Sequence, residues 1–419
     1  MAEGGLQRDR SVQNGGYRSS RRSVDALPIV LSAVFCLGIL PACSNLGGPD
    51  YQRPDTPEKA DWSSDAEIVV SAEAVIQPDW WTGFGDPYLN ELISRAIADN
   101  IDIRILAARS GVAKAAIGQA EAGLLPTLSG GAGTDTLKSS GSSARTQYSV
   151  ASDVIWELDI WGKVRKGVDA QKADYKATEA DWRAGYLVMV SDVASAYFQI
   201  RQFDEQIDQQ QKTLERNRQI FAIYELMHGE GLVPRTQVLQ QQAELNRLQT
   251  GLLDLERLRK LTENGLATLL GMPADSLSVP KAGLRSVRSI TVPAGLPSDL
   301  VSRRPDIISA EYRVLQAYNL AGQARLERLP SVSLTGRGGS ASFDLVDLLK
   351  SWTFGLSSLA SIPIFDPNIS ARIKVSEAQT GVVEEEYRRT VLGAFEEVEN
   401  ALTSLAIRKA QTAELSSRR

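Results

Sequence analysis

Few residues of this 419-residue sequence combine a reactive type with a spacing that supports chemistry. The only histidine, His228, lies beside a glycine-rich turn, where a solvated imidazole is far commoner than a catalyst or a metal ligand. The glycine clusters Gly83–Gly85 and Gly130–Gly133 do not join a strand to a helix of a βαβ unit, so neither predicts a nucleotide site. The sequence has no Cys/His metal spacing and no nucleophile elbow. We therefore predict that the protein is not an enzyme and uses no cofactor or metal.

The N-terminus predicts an export signal that ends at a lipidated cysteine. Five arginines between Arg8 and Arg22 precede the apolar run Ala26–Leu40, which is the order of regions in a signal peptide. This run is shorter than the about 20 residues that a membrane-spanning helix needs. The residues Leu-Pro-Ala-Cys that end at Cys43 resemble a lipobox, which predicts cleavage before Cys43 and attachment of a diacylglycerol and a fatty acid such as palmitate. An ordinary signal with a chance cysteine is the alternative.

Composition excludes several kinds of partner and of membrane attachment. The formal net charge is −5 with both signs mixed along the chain, and no basic patch predicts a nucleic-acid partner. The only other cysteine, Cys36, lies in the removable segment, so the mature chain is predicted to have no disulfide. Nothing after Leu40 is long and apolar enough for a transmembrane helix, so any embedding in a membrane must come from β-strands.

The sequence contains the same unit twice. Leu125–Ser129 reappears as Leu329–Ser333, an offset of 204 residues, and Gly118–Ala120 reappears as Gly322–Ala324 at the same offset. A period this long indicates a duplicated half-structure and not a short solenoid repeat. The unit begins with a helix, predicted over Pro87–Gly123 in the first copy.

Alternation with period two predicts strands after that helix. Leu128–Leu137 is rich in Gly, Ser and Thr, and apolar and polar residues then alternate from Tyr148 to Ile160 and again from Trp352 to Ile362. Alternation of this kind, with a tryptophan near one end, is typical of transmembrane β-barrel strands. A soluble sheet packed on a core is the alternative. The residues predicted to face lipid are Tyr148, Val150, Val154, Trp156, Leu158, Trp352, Phe354 and Leu356.

The period then changes to seven, which predicts a very long helix. A helix over Val164–Leu226 would be about 90 Å long at 1.5 Å per residue, and heptads predict a left-handed supercoil. Its return helix carries an apolar row that includes Leu245 and Leu252. In the turn between them, Gly231 is predicted to be left-handed and Pro234 to lie early in the return helix. The apolar heptad row is Tyr186, Val193, Ile200, Ile207, Leu214 and Phe221.

The second copy is expected to be incomplete. Its turn, by analogy with Gly229–Pro234, would fall about 205 residues later, beyond Arg419. Its outgoing helix carries an apolar row at Val391, Val398 and Leu405. We expect this row to have no return helix to pack against, and therefore to be exposed to water at a cost of about 25 cal/mol per Å².

Three motifs resemble one known family. Trp80–Pro87 (WWTGFGDP), Leu300–Ile307 (LVSRRPDI) and Gly231–Pro234 (GLVP) are similar to motifs of the TolC/OprM-type outer membrane efflux lipoproteins, the nodulation-protein-T-like branch. The resemblance implies a mixed α/β membrane channel built from two repeats. In such a trimer each subunit gives four strands to one twelve-stranded β-barrel in the outer membrane. Its long coiled-coil helices form an α-barrel in the periplasm.

The resemblance also implies a function and partners. The family provides the passive exit duct of a tripartite pump, together with a periplasmic adaptor protein and an inner-membrane RND-type transporter. The acidic gate of the family lies in the second turn, so no gate residue is assigned here. The remaining readings are a lipid-anchored structural or docking protein and a non-functional remnant. The implied adaptor contact, which on sequence alone is equally a plain hairpin turn, comprises Gly229, Glu230, Gly231, Leu232, Val233 and Pro234.

These expectations divide the chain into four parts. Residues 1–42 form the signal peptide, and residues 43–78 form a tether that follows the lipid. Residues 79–304 form the first repeat, with a helix, two strands and a helical hairpin. Residues 305–419 form the second repeat, with a helix, two strands and an outgoing helix only.

Overall fold

The structure, a computed structural model, describes residues 48, 51–56, 79–284, 287–288 and 303–417. The predicted signal peptide, the lipidation site Cys43, most of the 43–78 tether and the first three residues of the Leu300–Ile307 motif lie outside the described residues. None of the helices that the structure describes combines the length and the hydropathy of a membrane-crossing helix.

Helices and strands follow one another in the order that the duplication predicts, and the strands form one antiparallel sheet. A short 3-10 helix, Trp80–Phe84, opens the first repeat, and another, Leu345–Asp347, lies between the last two strands. The other elements are α1 (Pro87–Asp99), α2 (Ile101–Ala122), β1 (Thr127–Leu137), β2 (Arg145–Leu158), α3 (Lys163–Gly229), α4 (Arg235–Leu269), α5 (Pro305–Leu326), β3 (Ser331–Ser342), β4 (Thr353–Ser361) and α6 (Pro367–Ser417).

The repeat seen in the sequence is a repeat of structure. The order α2-β1-β2-α3 recurs as α5-β3-β4-α6. β3 begins at Ser331, 204 residues after β1 begins at Thr127, and α6 begins at Pro367, 204 residues after α3 begins at Lys163. The offset read from short motifs therefore holds for whole elements.

The single helix predicted over Pro87–Gly123 is wrong, because the chain breaks it at Asn100. The Asn100 carboxamide oxygen accepts a hydrogen bond from the backbone N–H of Ile103 at 2.9 Å and so caps α2. Its Nδ2 donates to the carbonyl of Leu269, at the end of α4, at 2.8 Å. A buried asparagine that can serve backbone groups outside its own helix competes with helix continuation. Asn100 thus ends α1, begins α2 and ties both to α4.

The long heptad helix is confirmed as α3, which has 67 residues and a length of about 100 Å at 1.5 Å per residue. Four members of the predicted row, Val193, Ile200, Ile207 and Leu214, are buried, and Tyr186 and Phe221 are half-buried. The N-terminal part of this row belongs to the main core, together with residues of α1 and of the end of α4. An apolar seam of period seven is therefore what holds α3 against its neighbours.

The expectation that Val391, Val398 and Leu405 have no packing partner is wrong for Val391. Val391 is fully buried in a second core, where it packs with Ile307 and Val314 of α5. Val398 is half-buried, and only Leu405 is exposed. Helix α5, which precedes the strands of the second repeat, therefore covers the N-terminal end of this row.

Candidate functional site: a two-faced sheet and a hairpin tip

The register of the sheet brings the predicted lipid-facing residues of both repeats onto one face. The strand order is β1-β2-β3-β4, and all pairs are antiparallel. Val154 of β2 pairs with Gly336 of β3, and Gly336 pairs with Leu356 of β4. Directly paired residues point to the same side of a sheet. Val154 and Leu356 therefore share a face, although their strands are not neighbours.

Several large apolar side chains on this face are exposed at the surface of the single chain. Phe354 and Leu356 are each 85% exposed, and Trp156 is also exposed. Tyr148, Val150 and Leu158 are half-buried, and Trp352 lies exposed just before β4. The Phe354 ring lies over Gly338, where an added Cβ would be 3.2 Å from two ring carbons. A glycine at this position therefore lets the ring lie close to the strand.

The opposite face carries every charged residue of the four strands. These residues are Asp135, Arg145, Asp153, Glu157 and Arg337. Their register positions all fall on the side shared by Asp153 and its direct partner Arg337. The Arg337 Nε donates to the Asp153 Oδ1 at 2.5 Å. No local sequence pattern predicts the role of Arg337, because its partner lies 184 residues away on a strand of the other repeat.

A carboxylate fixes the passage from the sheet to the long helix. Asp159 accepts hydrogen bonds from the backbone N–H groups of Val164 at 2.9 Å and Arg165 at 3.0 Å. Gly162, with φ +80°, occupies the left-handed turn just before α3. Trp161 donates from Nε1 to the carbonyl of Pro330 at 2.6 Å, which joins this passage to the start of β3. The sheet and α3 are therefore held together at their junction.

The tip between α3 and α4 has a defined hydrogen-bond geometry. The backbone N–H of Leu232 donates to Met227 O at 2.8 Å, and that of Gly231 donates to His228 O at 3.0 Å. This is a Schellman pattern, and Gly231 has φ +68°, as predicted. Pro234 differs from the prediction, since it is the N-cap residue and α4 begins at Arg235.

His228 is exposed, as predicted, and it also has a hydrogen-bond partner within the turn. Its Nδ1 lies 2.9 Å from the carbonyl oxygen of Val233 and donates to it in the Nδ1-protonated form. This bond joins the last turn of α3 to the residue before Pro234. His228 is therefore a part of the turn itself. It offers a stabilising contact within the turn.

The tip presents apolar side chains to its surroundings. Leu232 is 69% exposed, and Ile223, Leu226 and Leu239 nearby in the sequence are exposed as well. The predicted contact residues from Gly229 to Pro234 lie together in this one turn. Exposed apolar residues clustered at one end of a long hairpin are typical of an interaction surface.

Two buried polar clusters hold the middle of α3, and no local sequence pattern predicts either of them. In the first, Tyr197 donates to Asp86 Oδ2 at 2.5 Å, and Arg201 donates from Nε to the Tyr197 hydroxyl at 2.8 Å. Burial, followed by the hydrogen bond to Asp86, raises the pKa of Tyr197 to about 12. In the second, Arg259 donates to Asp204 at 2.6 Å and to Glu263 at 2.8 Å.

Both clusters reach the same stretch of chain that follows α4. Arg201 donates from Nη1 to Pro280 O at 2.7 Å, and Arg259 donates from Nη2 to Val279 O at 2.8 Å. Glu263 accepts from the backbone N–H of Val279 at 2.9 Å. Each group is therefore satisfied by protein partners. Among the described residues, no group of three or more His, Cys, Asp or Glu side chains is arranged to hold a metal ion.

Comparisons with known proteins lead to one group. Residues 92–272 and 296–416 match the family profile described as outer membrane efflux protein. The chain is 30% identical over 377 residues to the cation efflux system protein CusC of Escherichia coli O6:H1, with 88% of this chain and 81% of the relative covered. It is 31% identical over 390 residues to the solvent efflux pump outer membrane protein SrpC of Pseudomonas putida, with 88% and 82% covered.

Solved structures give the same result. The open state of the Neisseria gonorrhoeae MtrE outer membrane channel matches with a TM-score of 0.78 at 27% identity, over 88% of this chain and 84% of that chain. The outer-membrane channel OprN matches with a TM-score of 0.78 at 25% identity, over 88% of this chain and 85% of that chain. Sequence and fold therefore lead to the same proteins.

Proposed function

The chain belongs to the outer membrane efflux protein family, and we propose that its sheet is the lipid-facing end and its hairpin tip the adaptor-facing end of a passive exit duct. Members of this family are the outer-membrane channels of tripartite efflux pumps. They are homotrimers that work with a periplasmic adaptor and an inner-membrane RND-type transporter. The protein is such a channel component, and it lies in the outer membrane and extends into the periplasm.

The segregation of charge across the sheet carries the proposal for the strands. All five charged strand residues lie on one face, and the other face carries Val154, Trp156, Phe354 and Leu356. A charged side chain on the lipid side of a barrel costs about 2–4 kcal/mol at the bilayer midplane. The apolar face therefore faces lipid and the charged face lines an aqueous lumen. Three subunits with four strands each would close a twelve-stranded barrel.

Neighbouring residues of β4 allow a direct test of this orientation. Leu356 lies on the apolar face and Ser357 on the opposite face. In outer membranes, Ser357→Cys should react with a charged, water-soluble thiol reagent, and Leu356→Cys should react only with an apolar one. The background is low, because Cys36 and Cys43 are the only native cysteines. Equal labelling of both variants by the charged reagent would contradict the proposed orientation.

The hairpin tip is proposed to contact the adaptor through Gly229, Glu230, Gly231, Leu232, Val233 and Pro234. Leu232 is the most exposed large apolar residue of this set. Leu232→Ser should therefore weaken co-purification of the adaptor and lower drug resistance without changing the amount of trimer. Leu253→Ser, at an exposed leucine of α4, is the matched control. Loss of adaptor binding in both variants to the same degree would show that the tip has no special role.

Cys43 is proposed to carry the lipid that fixes the mature N-terminus to the membrane. One acyl chain binds a membrane only marginally, whereas several chains anchor a protein stably. The lipid would thus supplement attachment through the sheet. Mass spectrometry of the mature N-terminus should find Cys43 acylated, and Cys43→Ser should remove the label of radioactive palmitate. Retention of that label in Cys43→Ser would contradict the assignment.

The duct is proposed to have no catalytic role and no narrow substrate preference. Relatives of about equal identity are named for cargoes as different as cations and solvent. Selection among small molecules would then lie with the transporter. Exchange of the transporter, with this channel kept, should change the exported compounds. If the exported set instead followed the channel, the proposal would be wrong.

A further inference from the structure

We propose that the ion pair between Asp153 and Arg337 sets the charge selectivity of the lumen by keeping it neutral at that level. The inference rests on the proposed function, because it requires that the charged face of the sheet line the pore. It assigns to two residues a property of the open duct that the family membership leaves unspecified. The two residues come from different repeats, since Asp153 lies on β2 and Arg337 on β3.

The geometry makes this pair the dominant charged feature in the middle of the sheet. Asp153 and Arg337 are direct register partners on adjacent strands, and their Nε–Oδ1 distance is 2.5 Å. The Arg337 side chain is 72% exposed, against 27% for Asp153. The guanidinium therefore projects further from the sheet than the carboxylate that it neutralises. The other charged strand residues, Asp135, Arg145 and Glu157, lie closer to strand ends.

Small residues lie beside the pair on three sides of the same face. Ser129 of β1 pairs with Asp153, and Gly355 of β4 pairs with Arg337. The next positions along the two strands on that face are Ala151 and Gly339 on one side, which are small, and Ile155 and Thr335 on the other. The pair is therefore open on the sides of Ser129, of Gly355 and of Ala151 with Gly339, and the exposed Ile155 flanks it on the fourth side. A solute that passes this level would therefore meet Arg337 and Asp153 directly.

Trimer symmetry turns one pair into a ring. Three copies of Asp153 lie at one height of the pore, and so do three copies of Arg337, so that intact pairs give no net charge there. Removal of one partner would leave three like charges facing water. Three unit charges about 10 Å from the axis, screened by about 0.1 M salt, would change the ratio of cation to anion occupancy about fourfold.

The test measures reversal potentials of the purified full-length trimer in planar lipid bilayers across a KCl gradient. Arg337→Gln should raise the permeability ratio PK/PCl about fourfold, because three Asp153 charges are left unpaired. Asp153→Asn should lower it by a similar factor. The double variant should return to the wild-type ratio, and Arg337→Lys, which keeps the charge, should not differ from wild type.

A chemical variant guards against misfolding of the substituted chains. Arg337→Cys treated with a positively charged methanethiosulfonate should regain the wild-type ratio, and treatment with a negatively charged one should raise PK/PCl further. Trimers are checked first by their heat-modifiable mobility in SDS. If no Arg337 or Asp153 variant formed trimers, the pair would be a structural clamp and the proposal would be overturned.

The remaining outcomes separate this inference from the proposed function. Trimers of both single variants that conduct with the wild-type PK/PCl would overturn the role of the pair and leave the duct intact. Wild-type trimers that do not conduct at all would overturn the duct, and with it the pair. Opposite shifts in the two single variants, cancelled in the double variant, would support the inference.

Discussion

The two repeats place the same elements in the same order, but different parts of the chain complete their cores. In the first repeat, α3 packs with the 3-10 helix Trp80–Phe84, with α1 and with the end of α4. In the second, α6 packs mainly with α5, and Tyr51 from the segment 51–56 packs against this core. Tyr51 also stacks edge-on with Tyr318, with ring centroids 5.5 Å apart. The core of each repeat is therefore completed by segments outside the duplicated unit, and these segments differ between the two repeats.

The polar clusters show the same difference at the level of single residues. Tyr197, Arg201 and Asp204 of α3 are buried and paired with other elements. Further along α3 and α6 the sequences match at an offset of 205 residues, as Val193 and Val398 do, and there the second repeat has Leu402, Ala406 and Lys409. Lys409 is exposed. Buried ion pairs fix the path of α4 and of the chain after it in the first repeat. The described part of the second repeat has a leucine, an alanine and a solvated lysine there.

The largest effect is expected from breaking the buried cluster of the first repeat. Asp204→Ala leaves Arg259 with one carboxylate fewer in a buried site, and removal of one partner of such a pair costs about 3–5 kcal/mol. The trimer should then lose its heat-modifiable form at a distinctly lower temperature. Asp208→Ala, one turn along α3, is the control, because its pair with Lys212 is exposed and contributes at most about 1 kcal/mol. Equal shifts in both variants would contradict the special role of the cluster.

Equivalent isoleucines test the two cores against each other. Ile103 and Ile307 occupy the same place at an offset of 204 residues, but Ile307 is fully buried, and Ile103 is 8% exposed at the margin of its core. Replacement of a buried Ile by Ala costs about 2–5 kcal/mol, depending on the cavity left. We expect the loss of stability caused by Ile307→Ala to lie in the upper part of this range and the loss caused by Ile103→Ala to be smaller. Urea unfolding of both variants measures the difference, and a larger cost for Ile103→Ala would reverse the comparison.

Much of this architecture was predictable, because it rests on patterns with a short period. The heptads of α3 and the alternation of β2 and β4 are properties of local sequence, and burial and register confirm the heptad row and the sharing of one face. The long-period match predicted that the elements repeat. These signals need no knowledge of which residues meet across the chain.

The parts that sequence reasoning missed depend on single contacts between distant residues. Asn100 breaks a helix in part because it reaches Leu269, 169 residues away. Arg337 matters because the sheet register sets it opposite Asp153. Val391 is buried because α5 covers it, which a heptad row alone does not reveal. The residues predicted to contact lipid and adaptor concern partners outside the single chain and stay predictions.

A smaller effect is expected at the start of the helix that precedes the strands. Asn100 caps α2, whereas its equivalent at an offset of 204, Arg304, makes no side-chain cap for α5. Instead, Arg304 bridges Asp306 at 2.6 Å and Glu397 of α6 at 2.8 Å. Asn100→Ala should cost about 1–2 kcal/mol, as for the loss of a cap and of one buried hydrogen bond. Arg304→Ala should cost about 1 kcal/mol or less, as for partly exposed pairs.

Chemical denaturation of these two variants measures the difference, with Asn100→Asp as a control. The aspartate keeps an oxygen that can accept from the Ile103 N–H, but it has no N–H to donate to Leu269 O. It should therefore restore only the part of the stability that comes from the cap. An Asn100→Asp variant as unstable as Asn100→Ala would show that the bond to α4, and not the cap, is what matters. An Arg304→Ala variant that is the least stable of the three would remove the contrast between the repeats.

At neutral pH the ionisation of Tyr197 has almost no effect on stability, because the tyrosine is protonated in both the folded and the unfolded state, but the effect grows in alkali. Burial and the bond to Asp86 raise the pKa of Tyr197 to about 12, from about 10 in an unfolded chain. The folded state thus holds the proton more tightly, and the stability gained is complete below pH about 10 and lost as the pH rises towards about 12. Wild-type trimers should therefore lose thermal stability between pH 8 and pH 11 by more than Tyr197→Phe trimers do.

The second repeat offers the matching measurement. Burial also raises the pKa of Tyr387. Tyr387→Phe should therefore remove a further part of the stability that the wild-type protein loses in alkali. Because the two tyrosines lie in different cores, their shares should add in the double variant. A wild-type protein whose stability is flat between pH 8 and pH 11 would contradict both assignments. A loss removed by only one of the two substitutions would show which repeat unfolds first in alkali.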